Sequence, residues 1–150
     1  MDKRYLIAHW EAVRQGLVET TDKFEDADLE YSPFPEGRTV REMILHIAHE
    51  EQGEFRRGIL RNIPDFPPAY PVEDYPTLAP IKALLEAVHA ETLAFLDGVE
   101  EDDLDALVVT PWGPSYRLIE MLGHIVEHEI HHRGELPLAL GMLGRPGLDA

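Results

Sequence analysis

Six prolines fall between residues 64 and 80, and they constrain the fold more than any other feature of this 150-residue chain. Proline removes a backbone donor and favours extended backbone, so this stretch suits neither a helix interior nor a central strand. It is also far longer than the usual connection between antiparallel neighbours in a bundle. Residues 63–80 therefore have to travel along the outside of whatever flanks them.

The flanking segments are helical. Leu6, Trp10, Val13, Leu17 and Phe24 recur at steps of three, four or seven and predict a helix over about 4–24. The second helix is expected from Thr39 to about Leu60, opened by a capping box of Thr39 with Glu42 and striped by Val40, Met43, Ile44 and Ile47. The third runs over about 78–96, with Ile81, Leu84, Leu85, Val88, Leu93, Phe95 and Leu96. A fourth follows Pro111-Trp112-Gly113-Pro114, with Ser115 as its expected N-cap. Pro137 predicts a kink or break near residues 133–135, because its ring clashes with the carbonyl four residues back. Only residues 106–110 look β-like, and they are read as too isolated to build a sheet. The expectation is an all-α four-helix bundle with a long Pro-rich crossover between helices two and three, forming one domain over 1–150.

Composition narrows the chemistry. With no cysteine there is neither a disulfide nor a thiolate ligand. A formal charge of −16 offers no basic footprint for phosphates, so nucleic acid is not an expected partner. No apolar run reaches the length of a membrane span, and the N-terminus lacks the apolar core of a signal peptide. The expected setting is cytoplasmic, with no membrane partner.

What remains is histidine, and four of the eight lie at 124, 128, 131 and 132. In a helix, His124/His128 and His128/His132 each have the four-residue spacing that lets two imidazoles grip one metal ion. On a wheel of ~100° per residue, Leu118, Leu122, Ile125 and Leu136 define the apolar face. His132 falls inside that face and His128 on its margin, whereas His124 and His131 lie further out. His46 occupies the same marginal position on helix two, with His49 rotated out by another ~60°. One histidine from helix two and two from helix four can thus converge on a divalent metal, leaving coordination positions open for substrate or water. Glu129 lies near Ile125 on the apolar face and is expected to hydrogen-bond a ligand imidazole. Glu50, one turn after His46, is a similar candidate or a fourth ligand. His9 and His89 are read as ordinary polar residues on the bundle surface. His128-Glu129-Ile130-His131-His132 also spells H-E-x-x-H, but Glu135 and Leu138 stand where the extended protease motif needs glycine and histidine, and no sheet is expected to hold a peptide.

Three stretches resemble the DinB/YfiT-like family of metalloenzyme-type four-helix bundles. They are Thr39-Val-Arg-Glu-Met-Ile-Leu-His46, Trp112-Gly113, and Gly123-His-Ile-Val-Glu-His128-Glu-Ile-His-His132-Arg-Gly-Glu-Leu136, the last resembling the family's H-x-x-x-H-R-G-Q-[IL] signature. The resemblance implies metal ligands at His46, His128 and His132, the set the wheel also selects. Glu50, His124, Glu129 and Arg133 are candidates for the layer around them. Two departures stand out: Glu135 replaces the family's usual Gln, and Pro137 follows it. The resemblance further implies a homodimer and a metal-dependent enzyme that activates a low-molecular-weight thiol or water, of thiol S-transferase or hydrolase type. Arg38, Arg41, Arg57 or Arg133 would have to line the mouth for an acidic thiol to approach so acidic a chain. Zn, Ni, Fe, Cu and Mn all remain open as the ion. The alternative is a non-enzymatic stress-response, metal-binding or protein-interaction bundle, and a third reading is a plain bundle whose histidines are satisfied in the core.

Overall fold

Asp2 opens the first helix by accepting a hydrogen bond from the Tyr5 N–H (2.6 Å), and α1 follows over Lys3–Thr21. The computed structural model describes residues 2–61 and 63–146. The stripe Leu6, Trp10, Val13 and Leu17 is buried as its spacing predicts, while Phe24 packs from beyond the helix end. α2 spans Val40–Gly53 and starts on the expected capping box: Thr39 Oγ1 accepts from the Glu42 N–H, and Glu42 Oε2 from the Thr39 N–H (2.8 Å). Its continuation, Glu54–Ile59, widens to a π-helix, closed by Leu60 N–H on the Phe55 carbonyl at 2.9 Å. Gly58 in this wide turn lets α4 and the hairpin close in, since a Cβ there would lie 2.8 Å from Met121 Cε and 2.9 Å from Trp112 Cη2. α3 covers Leu78–Asp97, and α4 (Leu118–Arg133) and α5 (Glu135–Met142) form the fourth, bent helix.

The bend lies where Pro137 places it. The Gly134 N–H reaches back to the carbonyls of Ile130 and His131, and the chain restarts at Glu135. Pro137 then occupies the first turn of α5, where backbone donors have no intrahelical partner to lose.

Contacts climb α2 and α3 together: Glu51 meets His89, and Phe55 meets Phe95. α1 and α4 behave likewise, with Trp10 on Glu129 and Val13 on Arg133. Two pairs of neighbours therefore run parallel, and a parallel pair cannot be joined by a tight turn. The Pro-rich segment supplies the return path. It is pinned to α2 by Phe66, whose ring fills the space a side chain on Gly53 would take, and by the Tyr70 hydroxyl donating to Gln52 Oε1 (2.8 Å).

Three local expectations are corrected. Residues 107–109 do form a strand: β1 (Leu107–Val109) pairs antiparallel with β2 (Ser115–Arg117) in the register Val108↔Tyr116. Ser115 is consumed by that pairing and caps nothing. The helix begins two residues later, where the Arg117 N–H donates to Glu120 Oε2 (2.8 Å). His89 is no surface residue either, being buried with Nδ1 3.0 Å from Glu51 Oε1.

That contact belongs to a buried polar knot. Arg14 Nη2 on α1 bridges Glu51 on α2 and Glu129 Oε2 on α4, the latter at 2.9 Å. Trp10 Nε1 adds a donor to Glu129 Oε2 (3.0 Å). Burial pushes both carboxyls up. The His89 hydrogen bond and Arg14 bring Glu51 back below the ordinary range, whereas Glu129 stays above it. Among the described residues no helix is long and apolar enough to cross a membrane.

Removing the cation strands two carboxylates in the core, and breaking a buried charge pair costs about 3–5 kcal/mol. Arg14→Met is expected to lower the unfolding free energy by about that amount in urea titrations, and Glu129→Gln by less, since burial already penalises the ionised Glu129 carboxyl.

Candidate metal centre

Antiparallel packing of α2 on α4 brings His46 against His128 and His132. One ring nitrogen from each lies within 4.8 Å of those of the other two, and ring centroids stand 5.0, 4.6 and 4.4 Å apart. His132 is buried and the other two are half-buried. These are the three positions selected by helical periodicity.

The bend at Gly134 gives His132 a partner that periodicity missed. Glu135, three residues on, reaches back so that its Oε2 lies 2.9 Å from His132 Nδ1. A carboxylate there accepts a hydrogen bond from Nδ1–H and leaves the Nε2 lone pair free, an arrangement typical of metal-ligating histidines. The signal was present in the sequence as the Glu at the signature's Gln position. Glu50 Oε1 lies 3.8 Å from His46 Nδ1 and 3.6 Å from His49 Nδ1, close in charge but beyond hydrogen bonding. His49 itself is held on the crossover, with Nε2 2.7 Å from the Pro67 carbonyl oxygen.

The other expected neighbours go elsewhere. Glu129 turns away from the imidazoles, and its hydrogen bonds among the described residues are those from Trp10 and Arg14. Its own helix face is apolar as predicted, but that face meets α1. Arg133 also points to α1, donating from Nη1 to the Val13 carbonyl (3.1 Å) across Gly16. His124 lines a separate cavity with Glu54 and Trp112. Two single-helix groups, His46/His49/Glu50 and His131/His132/Glu135, also gather their ligand atoms within the same distance, each sharing a histidine with the three-imidazole set.

A cavity of about 390 Å³ opens beside His46, walled by Arg38 and Glu50 and roofed from the crossover by Ala69, Tyr70 and Val72. Burial lowers His46 to about 3, helped by the nearby Arg38 charge and by His132, His128 and His49. Burial likewise lowers His128 to about 4, with His132, His124 and His131 adding to the effect. Neutral imidazoles with free lone pairs are what a divalent ion requires.

A model described as the DinB superfamily matches residues 9–136. The Bacillus subtilis protein YizA, described as uncharacterized, is 40% identical over 65 residues, which is 42% of this chain and 41% of that one. The chain thus matches less than half the length of that curated relative. Bacillus subtilis YfiT, described as a probable metal-dependent hydrolase with an unusual four-helix bundle topology, superposes with a TM-score of 0.72 over 95% of this chain and 88% of that chain at 21% identity. A mycothiol-dependent maleylpyruvate isomerase superposes with a TM-score of 0.58 over 91% of this chain and 61% of that chain at 17% identity. At such identities the structural likeness is one of fold.

Unfolded histidines protonate near 6.5, whereas folded His46 and His128 hold out to about 3 and 4. As pH falls below 6.5 the unfolded state takes up protons first, so stability falls progressively from 6.5, to about 4 for His128 and to about 3 for His46. Histidine NMR titration of the metal-free protein should show both rings neutral at pH 5, with unfolding midpoints falling over the same range. Rings that titrate near 6.5 would contradict the burial argument.

Proposed function

The chain belongs to the DinB superfamily, and from that premise we propose that it is a divalent-metal-dependent enzyme whose ion is held by His46, His128 and His132. The observation that carries this reading is the gathering of three ring nitrogens from two helices within 4.8 Å of one another. Ligands about 2.1 Å from a tetrahedral ion stand roughly 3.4 Å apart, a difference side-chain rotation can close. The depressed basicity of His46 and His128 and the Glu135 contact on His132 support the same assignment.

A divalent ion held there supplies positive charge that acidifies a coordinated thiol or water. The chain's own residues do the rest. Glu135 holds the His132 ring in one tautomer and orientation. Glu50, half-exposed beside His46 and lining the same cavity, is placed to take the proton released from the nucleophile. Arg38 brings a cation to the cavity mouth, where it offsets the acidic surface and can meet an anionic group of the substrate. The reaction class is attack of a small thiol or of water on an electrophile. The descriptions of YfiT as a hydrolase and of the isomerase as mycothiol-dependent support the two nucleophiles in turn.

Metal analysis of tag-free protein, followed by uptake of Zn²⁺, Ni²⁺ and Mn²⁺, tests this directly. Single alanine changes at His46, His128 or His132 should each abolish tight uptake. Glu135→Ala should weaken it roughly 10-fold, as outer-layer changes do, and His49, His124 and His131 variants should bind nearly as wild type. Less than about a tenth of an equivalent in the wild type under saturating metal would sink the reading. Turnover on a panel of thiols and electrophiles then separates an enzyme from a metal-binding module.

A further inference from the structure

We propose that a second cavity, between the π-helical segment and α4, binds a small organic ammonium ion. The inference goes beyond the metal reading and does not depend on it. The cavity holds about 410 Å³ and is lined by Glu54, Trp112, Tyr116, Glu120, Met121 and His124. Two carboxylates and two aromatic rings face it, and no lysine or arginine lines it. The rings are unusually available for their size: Trp112 is 42% exposed and Tyr116 39%.

The carboxylates are not equivalent. Glu120 is already satisfied by Arg117, whose Nη2 lies 3.0 Å from Oε1 and whose N–H donates to Oε2. Glu54 accepts no hydrogen bond among the described residues, although burial pushes its carboxyl above the ordinary range against the pull of His124. A partly desolvated carboxylate without a donor is stabilised by an incoming cation. Trp112 already receives one cation, with the Arg57 guanidinium carbon 5.4 Å from its ring centroid, so the indole here does act as a cation–π acceptor.

Other ligand classes fit less well. An anion meets two carboxylates with no cationic lining. A neutral apolar molecule leaves Glu54 unpaired. A metal ion wants three close donors, and Glu54 and His124 belong to no such group among the described residues. An alkylated ammonium matches all three elements at once: charge for Glu54, π faces for its substituents, and the Met121 thioether as an adaptable apolar wall. The wide π turn is the local device that makes the room, because Gly58 lets Trp112 lie against the helix.

The chain's two indole N–H signals report on the site, since Trp10 is fully buried and Trp112 is not. Choline is the probe, and 3,3-dimethylbutan-1-ol is its uncharged counterpart of the same shape. Choline should shift the Trp112 signal saturably while leaving Trp10 in place, and the alcohol should bind roughly fivefold more weakly or worse. Glu54→Gln should narrow that difference to less than about twofold, the aromatic faces keeping the remainder, without moving Trp10, which serves as the fold control. If that variant fails to fold, calorimetric titration of both probes into wild type and Trp112→Tyr decides the matter, the tyrosine retaining the preference at lower affinity. Equal binding of the two probes, no saturable shift, or a Glu54→Gln protein whose preference for choline is undiminished overturns the proposal.

Discussion

One guanidinium ties together the two helices that carry the imidazoles. Arg14 reaches from α1 to Glu51 on α2 and Glu129 on α4, with His89 adding a contact to Glu51 and the Trp10 N–H donating to Glu129. Glu51 follows Glu50, which flanks His46, and Glu129 follows His128. Each helix therefore shows its imidazoles to one side and its carboxylate to α1. Moving either helix along its axis by a turn would separate a buried charge from its partner and the histidines from one another. Buried ion clusters contribute little net stability because desolvation offsets their attraction. Their attested use is to fix register, and register is what a site shared by two helices needs.

Helix direction explains why the crossover is long. α1 with α4, and α2 with α3, run parallel, so the chain must spend a long segment returning along the bundle. Prolines lower the entropy lost when such a segment is ordered, and Phe66 on Gly53 with His49 on Pro67 fastens it to α2. The return path is then not merely a connection. Ala69, Tyr70 and Val72 form the outer wall of the cavity beside His46, so topology and site share one piece of chain.

Periodicity makes the helices and the three convergent histidines legible because each helix has one buried stripe, and burial follows angle. It cannot say which neighbour a stripe meets. Glu129 sits on the expected face yet faces Arg14, an assignment that requires knowing α1 and α4 are adjacent. His89 fails for the same reason: its partner, Glu51, lies 38 residues away. Ser115 is a good cap in isolation, but a two-stranded pairing with Val109 wins locally. Glu135 was visible only as a departure from a signature. Its role appears once the Gly134 bend turns it back on His132.

Charge decides the character of the site in a way composition alone would reverse. A chain at −16 should stabilise protonated histidine, yet His46 and His128 are driven down. Burial is the largest cause in both, and the adjacent imidazoles and Arg38 act in the same direction, so local terms outweigh the distant acids, which water and salt screen. The outcome separates two ranges of electrostatics. At long range the acidic surface attracts cations and holds off anions. At short range the imidazoles present lone pairs without competing protons at neutral pH. A divalent ion profits from both. An anionic group profits from neither until it reaches Arg38, which lines the cavity beside His46.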